Sequence, residues 1–199
     1  ISVIRLLIQN NPKEVDTFHI FYELDRLKFQ LDLILNLARM DNFKNDLVID
    51  ELSLNDIVKS IIQENKRLFI QNEIFPKFEA ERNFTIYSDR KWLEFVITQL
   101  IHNAVKFSNH KSKLFISIKS NLNNSILMIQ DFGLGIKKKD MPRIFELYYT
   151  GTNGRESSQS SGIGLYLVKK FVDELNYQIK IESKENEGTL VSIYFPSEK

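Results

Sequence analysis

The sequence contains no cysteine in its 199 residues. Disulfides and thiolate metal sites are therefore excluded, and a reducing cytoplasm is compatible with the chain. It also lacks a dominant charge. Its 27 basic and 26 acidic residues leave +1, so no broad basic field argues for nucleic acid. No apolar run approaches the length needed to cross a bilayer. Ile1-Ser2-Val3-Ile4 carries neither an initiator Met nor a signal peptide, and reads as the middle of a helix in a longer protein. What is present suits one or two domains. At 43% hydrophobic residues the chain can bury a core, and at 27% charged residues it can stay in solution.

The first unit runs from Ile1 to about residue 43. Ile1, Ile4 and Ile8 share one helical face, and Asn10-Asn11-Pro12 breaks that helix. From about Asp16, Ile20, Leu24, Leu27, Leu31, Ile34 and Ala38 step by four and three, a heptad seam. Phe18, Phe21, Tyr22, Phe29 and Leu35 widen the apolar surface beyond one seam. A lone hairpin cannot bury all of it, so a four-helix bundle formed by a homodimer fits. A monomeric hairpin packed on the next domain is the alternative.

Met40 to Asp46 is a polar hinge, and the second unit occupies residues 44–199. Leu47–Leu52 reads as a strand. Ser53-Leu54-Asn55-Asp56 resembles a capping box ahead of one amphipathic helix reaching about Gln71. Ile74–Glu79 and Phe84–Tyr87 read as short strands, the first placed at an edge by Pro76. Ser88-Asp89 caps a helix with Trp92, Phe95, Val96 and Leu100 facing inward. Leu114–Ile118 and Ile126–Gln130 are strands, Ile163–Leu175 a helix, and Tyr177–Ile181 pairs with Leu190–Phe195 across Glu187-Gly188. The expected class is α+β: a helical hairpin, then an α/β sandwich with helices on one face of a mixed sheet.

The chemistry concentrates between Ile126 and Val168. An apolar strand delivers Asp131 to the turn Phe132-Gly133-Leu134-Gly135-Ile136. Glycines there allow positive φ and let main chain approach a ligand. Gly162-Ile163-Gly164-Leu165 opens a helix, where free N–H groups favour phosphate. Arg143-Ile144-Phe145-Glu146 and a polar, serine-rich run to Ser161 lie between, long enough to be a functional lid. Upstream, Gln99, Asn103 and Lys106 fall on one helical face. Taken singly, Asn103 and Lys106 are ordinary helix-surface residues, Asp131 a turn carboxylate and Thr189 a strand residue. Ile136, Phe145, Ile163 and Leu165 suit either a base pocket or the core.

Together these residues resemble the sensor histidine kinases. Asp131-x-Gly133-x-Gly135 is similar to their first glycine box and Phe145 to the F box. Gly162-Ile163-Gly164-Leu165 matches most of the second glycine box, although Ser160 stands where that box usually opens with Gly. Asn103-Ala104-Val105-Lys106-Phe107 is similar to the N box. All four occur in family order. The likeness is strongest to intramembrane-sensing kinases of the bacitracin and antimicrobial-peptide resistance type.

The resemblance implies an ATP-binding catalytic domain. Asn103 would ligate Mg²⁺, Lys106 and the second glycine turn would hold phosphate, and Asp131 would accept from the adenine amino group with help from Thr189. Phe107, Gly133, Gly135, Ile136, Phe145, Gly162, Ile163, Gly164 and Leu165 complete the nucleotide site, with Arg143 and Arg155 as lid cations. It further implies a phosphoacceptor histidine just upstream of Ile1, since His19, His102 and His110 all fail the family motif. A homodimer, a response regulator, and a membrane anchor outside this sequence follow from the same likeness, with an ABC transporter as a further partner. The rival readings are an ATPase clamp or chaperone of the same nucleotide fold, and a non-catalytic dimerising module. Gln99 argues against the first, because its amide cannot act as the base that activates water.

Overall fold

The structure is a computed structural model that describes residues 17–40, 47–156 and 160–196, apart from the side chains of Phe18, Arg155 and Glu156. The helix expected over Ile1–Ile8 and most of the hinge lie outside the described residues. The chain divides into two compact units, Ile1–Asp41 and Asn42–Lys199.

In the first unit, α1 spans Thr17–Arg39. Within the heptad seam Leu24, Leu31 and Ile34 are exposed, as are the flanking Phe21 and Leu35. The apolar surface that the spacing anticipated is thus present and open.

The second unit begins with β1 (Ile49–Ser53). Ser53 then caps α2 (Leu54–Glu64), its hydroxyl accepting from the Asp56 N–H. The single helix expected to Gln71 is in fact two, with α3 at Lys66–Gln71. The break is at Asn65, whose side-chain amide donates to the Ile61 carbonyl at 2.8 Å. A local side-chain bond of this kind competes with the helical ladder. His102 secures the break, its Nε2 lying 2.8 Å from Asn65 Oδ1.

β2 (Phe75–Ala80), β3 (Thr85–Asp89), α4 (Arg90–Phe107), β4 (Lys113–Ser120) and β5 (Asn124–Gln130) follow. Asp89 caps α4 by accepting from the Trp92 N–H. The chain closes with α5 (Gly151–Glu156), α6 (Gly164–Glu174), β6 (Gln178–Lys184) and β7 (Gly188–Pro196). The five-stranded sheet has the order β2-β4-β5-β7-β6. β2 runs parallel to β4 at one edge and the remaining pairs are antiparallel. Pro76 therefore sits on an edge strand, where its missing N–H costs no ladder bond. β3 does not join this sheet. It pairs with β1 in a separate two-stranded ribbon.

Alternation decides which sheet face is covered. Leu114, Ile116 and Ile118 of β4 are buried, as are Leu127 and Ile129 of β5 and Ile193 and Phe195 of β7. The register places Ile116 opposite Ile129, Ile118 opposite Leu127, and Leu127 opposite Ile193, so these side chains share one face. α4 supplies the opposing layer with Trp92, Leu93, Val96, Ile97, Leu100 and Ile101. α6 adds Leu167, Val168, Phe171 and Val172. This packing fixes α4, and hence Asn103 and Lys106, against the strand that ends at Asp131.

Candidate functional site

Three elements converge around the end of β5. The first carries Asp131, which is only 5% exposed. Its Oδ1 accepts the N–H of Gly133 at 3.0 Å and that of Thr189 at 3.2 Å. The Asp131 N–H donates to the Thr189 carbonyl at 3.0 Å. Burial pushes the carboxyl up to about 6, against the opposing pull of those backbone N–H groups. Oδ2 has no hydrogen-bond partner among the described residues, which leaves that oxygen available to a donor from a ligand. Thr189 Oγ1 lies 2.9 Å from Ser183 Oγ, and Ser183 Oγ accepts from the Ile136 N–H at 2.8 Å. Ser183, which the sequence did not single out, thus joins the first glycine turn to the β6–β7 hairpin.

The glycines of this turn also have a packing task. A Cβ on Gly133 would lie 1.9 Å from the Phe107 carbonyl oxygen, and one on Gly135 would lie 2.1 Å from that of Lys184. Only Gly135 has positive φ, +62°. The turn is bare because neighbouring chain crosses it, and the Leu134 N–H donates to the Phe107 carbonyl at 2.9 Å. This crossing clamps the first glycine turn onto the C-terminal end of α4.

The second element is α4 itself. Gln99 Nε2 donates to Asn103 Oδ1 at 3.2 Å. Gln99 Oε1 and Asn103 Nδ2 are buried with no partner. Lys106 Nζ donates to Ser160 Oγ at 2.6 Å and lies 5.4 Å from the centre of the Phe107 ring. Gly164 packs directly on Gln99, since a Cβ there would stand 2.1 Å from Nε2. The N-box face and the second glycine turn are therefore in contact, as the paired motifs require. Ile163 is buried, while Leu165, Phe107, Ile136 and Phe145 are half-buried.

The third element is the lid. The polar loop expected over Met141–Ser161 contains a turn of 3₁₀-helix at Met141–Arg143 and the short α5. Asp140 holds it. Its Oδ1 accepts from the Tyr149 hydroxyl at 2.7 Å and its Oδ2 from the Thr152 N–H at 2.8 Å. These bonds hold its carboxyl down at about 2. Asn153 Nδ2 donates to the Gly135 carbonyl at 2.9 Å, so α5 is tied to the first glycine turn. Gly162 has φ +69° and accepts at its carbonyl from the Tyr148 N–H at 3.0 Å. Asp140 and Asn153 escaped the sequence reading because a lone Asp after three lysines and a lone Asn in a polar run carry no pattern.

Arg143 is already engaged. Its Nε and a terminal nitrogen each lie 2.8 Å from Glu146 Oε2, and its guanidinium sits 4.3 Å from the centre of the Tyr149 ring. The Arg155 side chain lies outside the described residues.

No cluster of three or more His, Asp or Glu side chains able to hold a metal occurs among the described residues. A divalent cation here would need most of its oxygens from elsewhere, as Mg²⁺ does when it travels on a triphosphate. The donor set fits that role, because the half-buried Asn103 amide, with Nδ2 unpaired, can turn an oxygen to a hard cation.

Comparison with known proteins identifies the family and the fold. Residues 88–199 match the family described as histidine kinase-, DNA gyrase B- and HSP90-like ATPase. The chain belongs to that family, and the match lies within the second unit. Among curated relatives, the sensor histidine kinase YxdK of Bacillus subtilis is 40% identical over 98% of this chain. The sensor protein kinase GraS of Staphylococcus aureus is 33% identical over 98%. The chain spans 60% of the first and 56% of the second. Among solved structures, the Acinetobacter baumannii histidine kinase AdeS matches with a TM-score of 0.70 at 20% identity, covering 100% of this chain and 95% of that one. The catalytic domain of the histidine kinase ThkA matches with 0.66 at 20% identity, covering 75% of this chain and 97% of that one. The fold is that of histidine kinase catalytic domains.

Proposed function

We propose that this chain is the ATP-binding catalytic region of a sensor histidine kinase. It places the γ-phosphoryl group of ATP·Mg²⁺ for attack by a histidine on a dimerisation bundle. The imidazole nitrogen forms the new P–N bond, the bond to the β-phosphate oxygen breaks, and ADP leaves. The phosphoryl group then passes to an aspartate of a response regulator. The observation that carries this reading is the convergence of the Asp131 acceptor with the α4 face of Asn103 and Lys106 beneath a lid anchored at both ends.

Each residue has a bounded task. Asp131 Oδ2 accepts the adenine amino group, while Thr189 and Gly133 hold the carboxylate in place. Lys106 exchanges Ser160 for phosphate oxygen. Asn103 presents an amide oxygen to Mg²⁺. Ile136, Phe145, Ile163 and Leu165 line the purine, and Gly162 and Gly164 leave main-chain N–H groups open to phosphate. The ion supplies charge neutralisation on the triphosphate, which together with positioning is most of what phosphoryl transfer needs. Arg143 can contribute only after leaving Glu146.

In this reading the acceptor histidine and the membrane anchor lie in segments outside this sequence, and the response regulator is a separate partner; the chain spans 60% and 56% of the two curated relatives. No helix among the described residues is long and apolar enough to cross a membrane. The exposed seam of α1 supports homodimerisation, and an ABC transporter partner rests on family likeness alone. A transfer assay tests the reading. This chain, mixed with γ-labelled ATP, Mg²⁺ and a separate histidine-bearing dimerisation fragment, should produce acid-labile, base-stable label on the fragment. Steady release of inorganic phosphate without labelled fragment would favour a hydrolytic clamp instead.

A further inference from the structure

The unpaired atoms in the α4 face point to a residue whose task has not been assigned. Gln99 is 4% exposed and lies one helical turn before Asn103. Among the described residues, Gln99 is the only hydrogen-bond partner of the Asn103 side chain. In the arrangement recorded, Gln99 Nε2 donates to Asn103 Oδ1, and this leaves an acceptor, Gln99 Oε1, and a donor, Asn103 Nδ2, both buried and unpaired. Both atoms are shielded from solvent, so bulk water does not supply the missing bonds. A half-turn of both amides exchanges donor and acceptor without moving either side chain. Asn103 Nδ2 then donates to Gln99 Oε1, and Asn103 Oδ1 is released from Gln99. Only that second arrangement frees the Asn103 oxygen for a cation.

Gln99 itself is restrained from two sides. Its amide is bonded to Asn103, and Gly164 presses on it so closely that any Cβ there would overlap Nε2. The amide is therefore held between the N-box residue and the start of α6.

We propose that Gln99 is the positioning residue that sets which end of the Asn103 amide faces the metal on the nucleotide. In the loaded site Gln99 Oε1 accepts from Asn103 Nδ2, which fixes Oδ1 toward Mg²⁺. This rests on the reading of Asn103 as a metal ligand. It adds a reason for glutamine at this position beyond its inability to serve as a base. Residues of this kind, bonded to a ligand rather than to the ion, typically change metal affinity by about 10–100-fold when removed.

The test measures a ratio. The affinity of the full chain for ADP is determined by calorimetry with Mg²⁺ and again with EDTA. The Mg²⁺ coupling is the quotient of the two dissociation constants, and it cancels effects on nucleotide binding that do not involve the ion. Gln99→Met keeps the length of the side chain but can neither donate nor accept at its end. It is expected to lose about tenfold or more of the coupling. Gln99→Glu can only accept, so it is expected to keep the wild-type coupling or exceed it. Gln99→Met combined with Asn103→Ala is expected to match Asn103→Ala alone. Full coupling in Gln99→Met alongside lost coupling in Asn103→Ala would overturn the positioning role and leave Asn103 as ligand. Lost coupling in Gln99→Glu would show that Gln99 must donate, and would also overturn it. Full coupling in Asn103→Ala would remove the metal ligand itself, and with it the basis of the proposal. Side-chain amide resonances give a second readout for any variant with altered stability. Adding Mg²⁺ to the ADP complex should shift the Asn103 amide signal in wild type and Gln99→Glu, and leave it in place in Gln99→Met.

Discussion

Asp131 and Thr189 hold each other by two hydrogen bonds, one from the Asp131 N–H to the Thr189 carbonyl and one from the Thr189 N–H to Asp131 Oδ1. The pair joins the end of β5 to β7 and buries a carboxylate. Burial raises that carboxyl from 3.8 to about 6, a penalty on the ionised form of up to about 3 kcal/mol. The sign follows directly. The penalty is absent below the unfolded value, grows as pH rises toward 6, and is complete above it. Asp131→Asn keeps an oxygen for both backbone donors and carries no charge. It should therefore unfold at a higher temperature than wild type at pH 8, with the difference closing by about pH 4. The same variant should bind ATP at least tenfold more weakly. Thermal melts across pH, paired with ATP titrations, check both. A variant less stable than wild type at pH 8 would contradict the first expectation.

The lid depends on Asp140. Its folded value near 2 lies below that of an ordinary carboxylate, so its contribution is complete above the unfolded value and fades as pH falls toward 2. Asp140→Asn loses the charge that strengthens the bonds to Tyr149 and the Thr152 N–H. We expect a cost of about 1–2 kcal/mol, the scale of a charge-assisted bond, and faster amide exchange over α5. Hydrogen exchange on Thr152 and its neighbours reads this directly. Unchanged protection would remove Asp140 as the anchor.

His102 behaves as a structural histidine. Burial lowers its value from 6.5 to about 4. Its folded state thus resists protonation, and the stability it confers is present above 6.5 and falls away as pH drops toward 4. His102→Gln keeps a partner for Asn65 but does not titrate in this range. Its stability profile should be flatter than that of wild type between pH 6.5 and 4. Parallel profiles would contradict the assignment.

Gly133 is the position least able to accept a side chain. Gly133→Ala would set a methyl group 1.9 Å from the Phe107 carbonyl oxygen, against the Phe107–Ser108 backbone. We expect a loss of about 3 kcal/mol, the upper range for overpacking. ATP binding should fall with it, because the clash lies between the first glycine turn and α4. Chemical denaturation measures the first effect and nucleotide titration the second. A stable variant would contradict the close crossing.

Much of this arrangement was legible before the coordinates. Alternation in β4 and β5, the cap at Asp89 and the edge position of Pro76 all follow from local chemistry, which the tertiary structure does not override. The Gln99–Asn103–Lys106 face follows from helical spacing alone. Other features depend on contacts distant in sequence. Asn65 breaks a helix that its neighbours would continue, and its partner His102 lies 37 residues away. Ile86 and its neighbours have strand character, yet only the fold decides that β3 pairs with β1 rather than joining the sheet. Glycine pairs are easily seen, but their cause here is a crossing chain at Phe107 and Lys184, which no local pattern reveals. Asp140, Asn153 and Ser183 act through one to three bonds to backbone or hydroxyl groups, and such bonds leave no periodic trace.

The central claim is that one buried acceptor reads the purine while the α4 face holds the triphosphate. The most direct measurement compares ATP with inosine triphosphate, whose base carries an oxo group where adenine carries the amino group, and with it a hydrogen on N1. Calorimetry in Mg²⁺ should show ATP binding at least tenfold more tightly in wild type, with that preference lost in Asp131→Asn. Equal affinity of the wild-type chain for the two nucleotides would contradict the account.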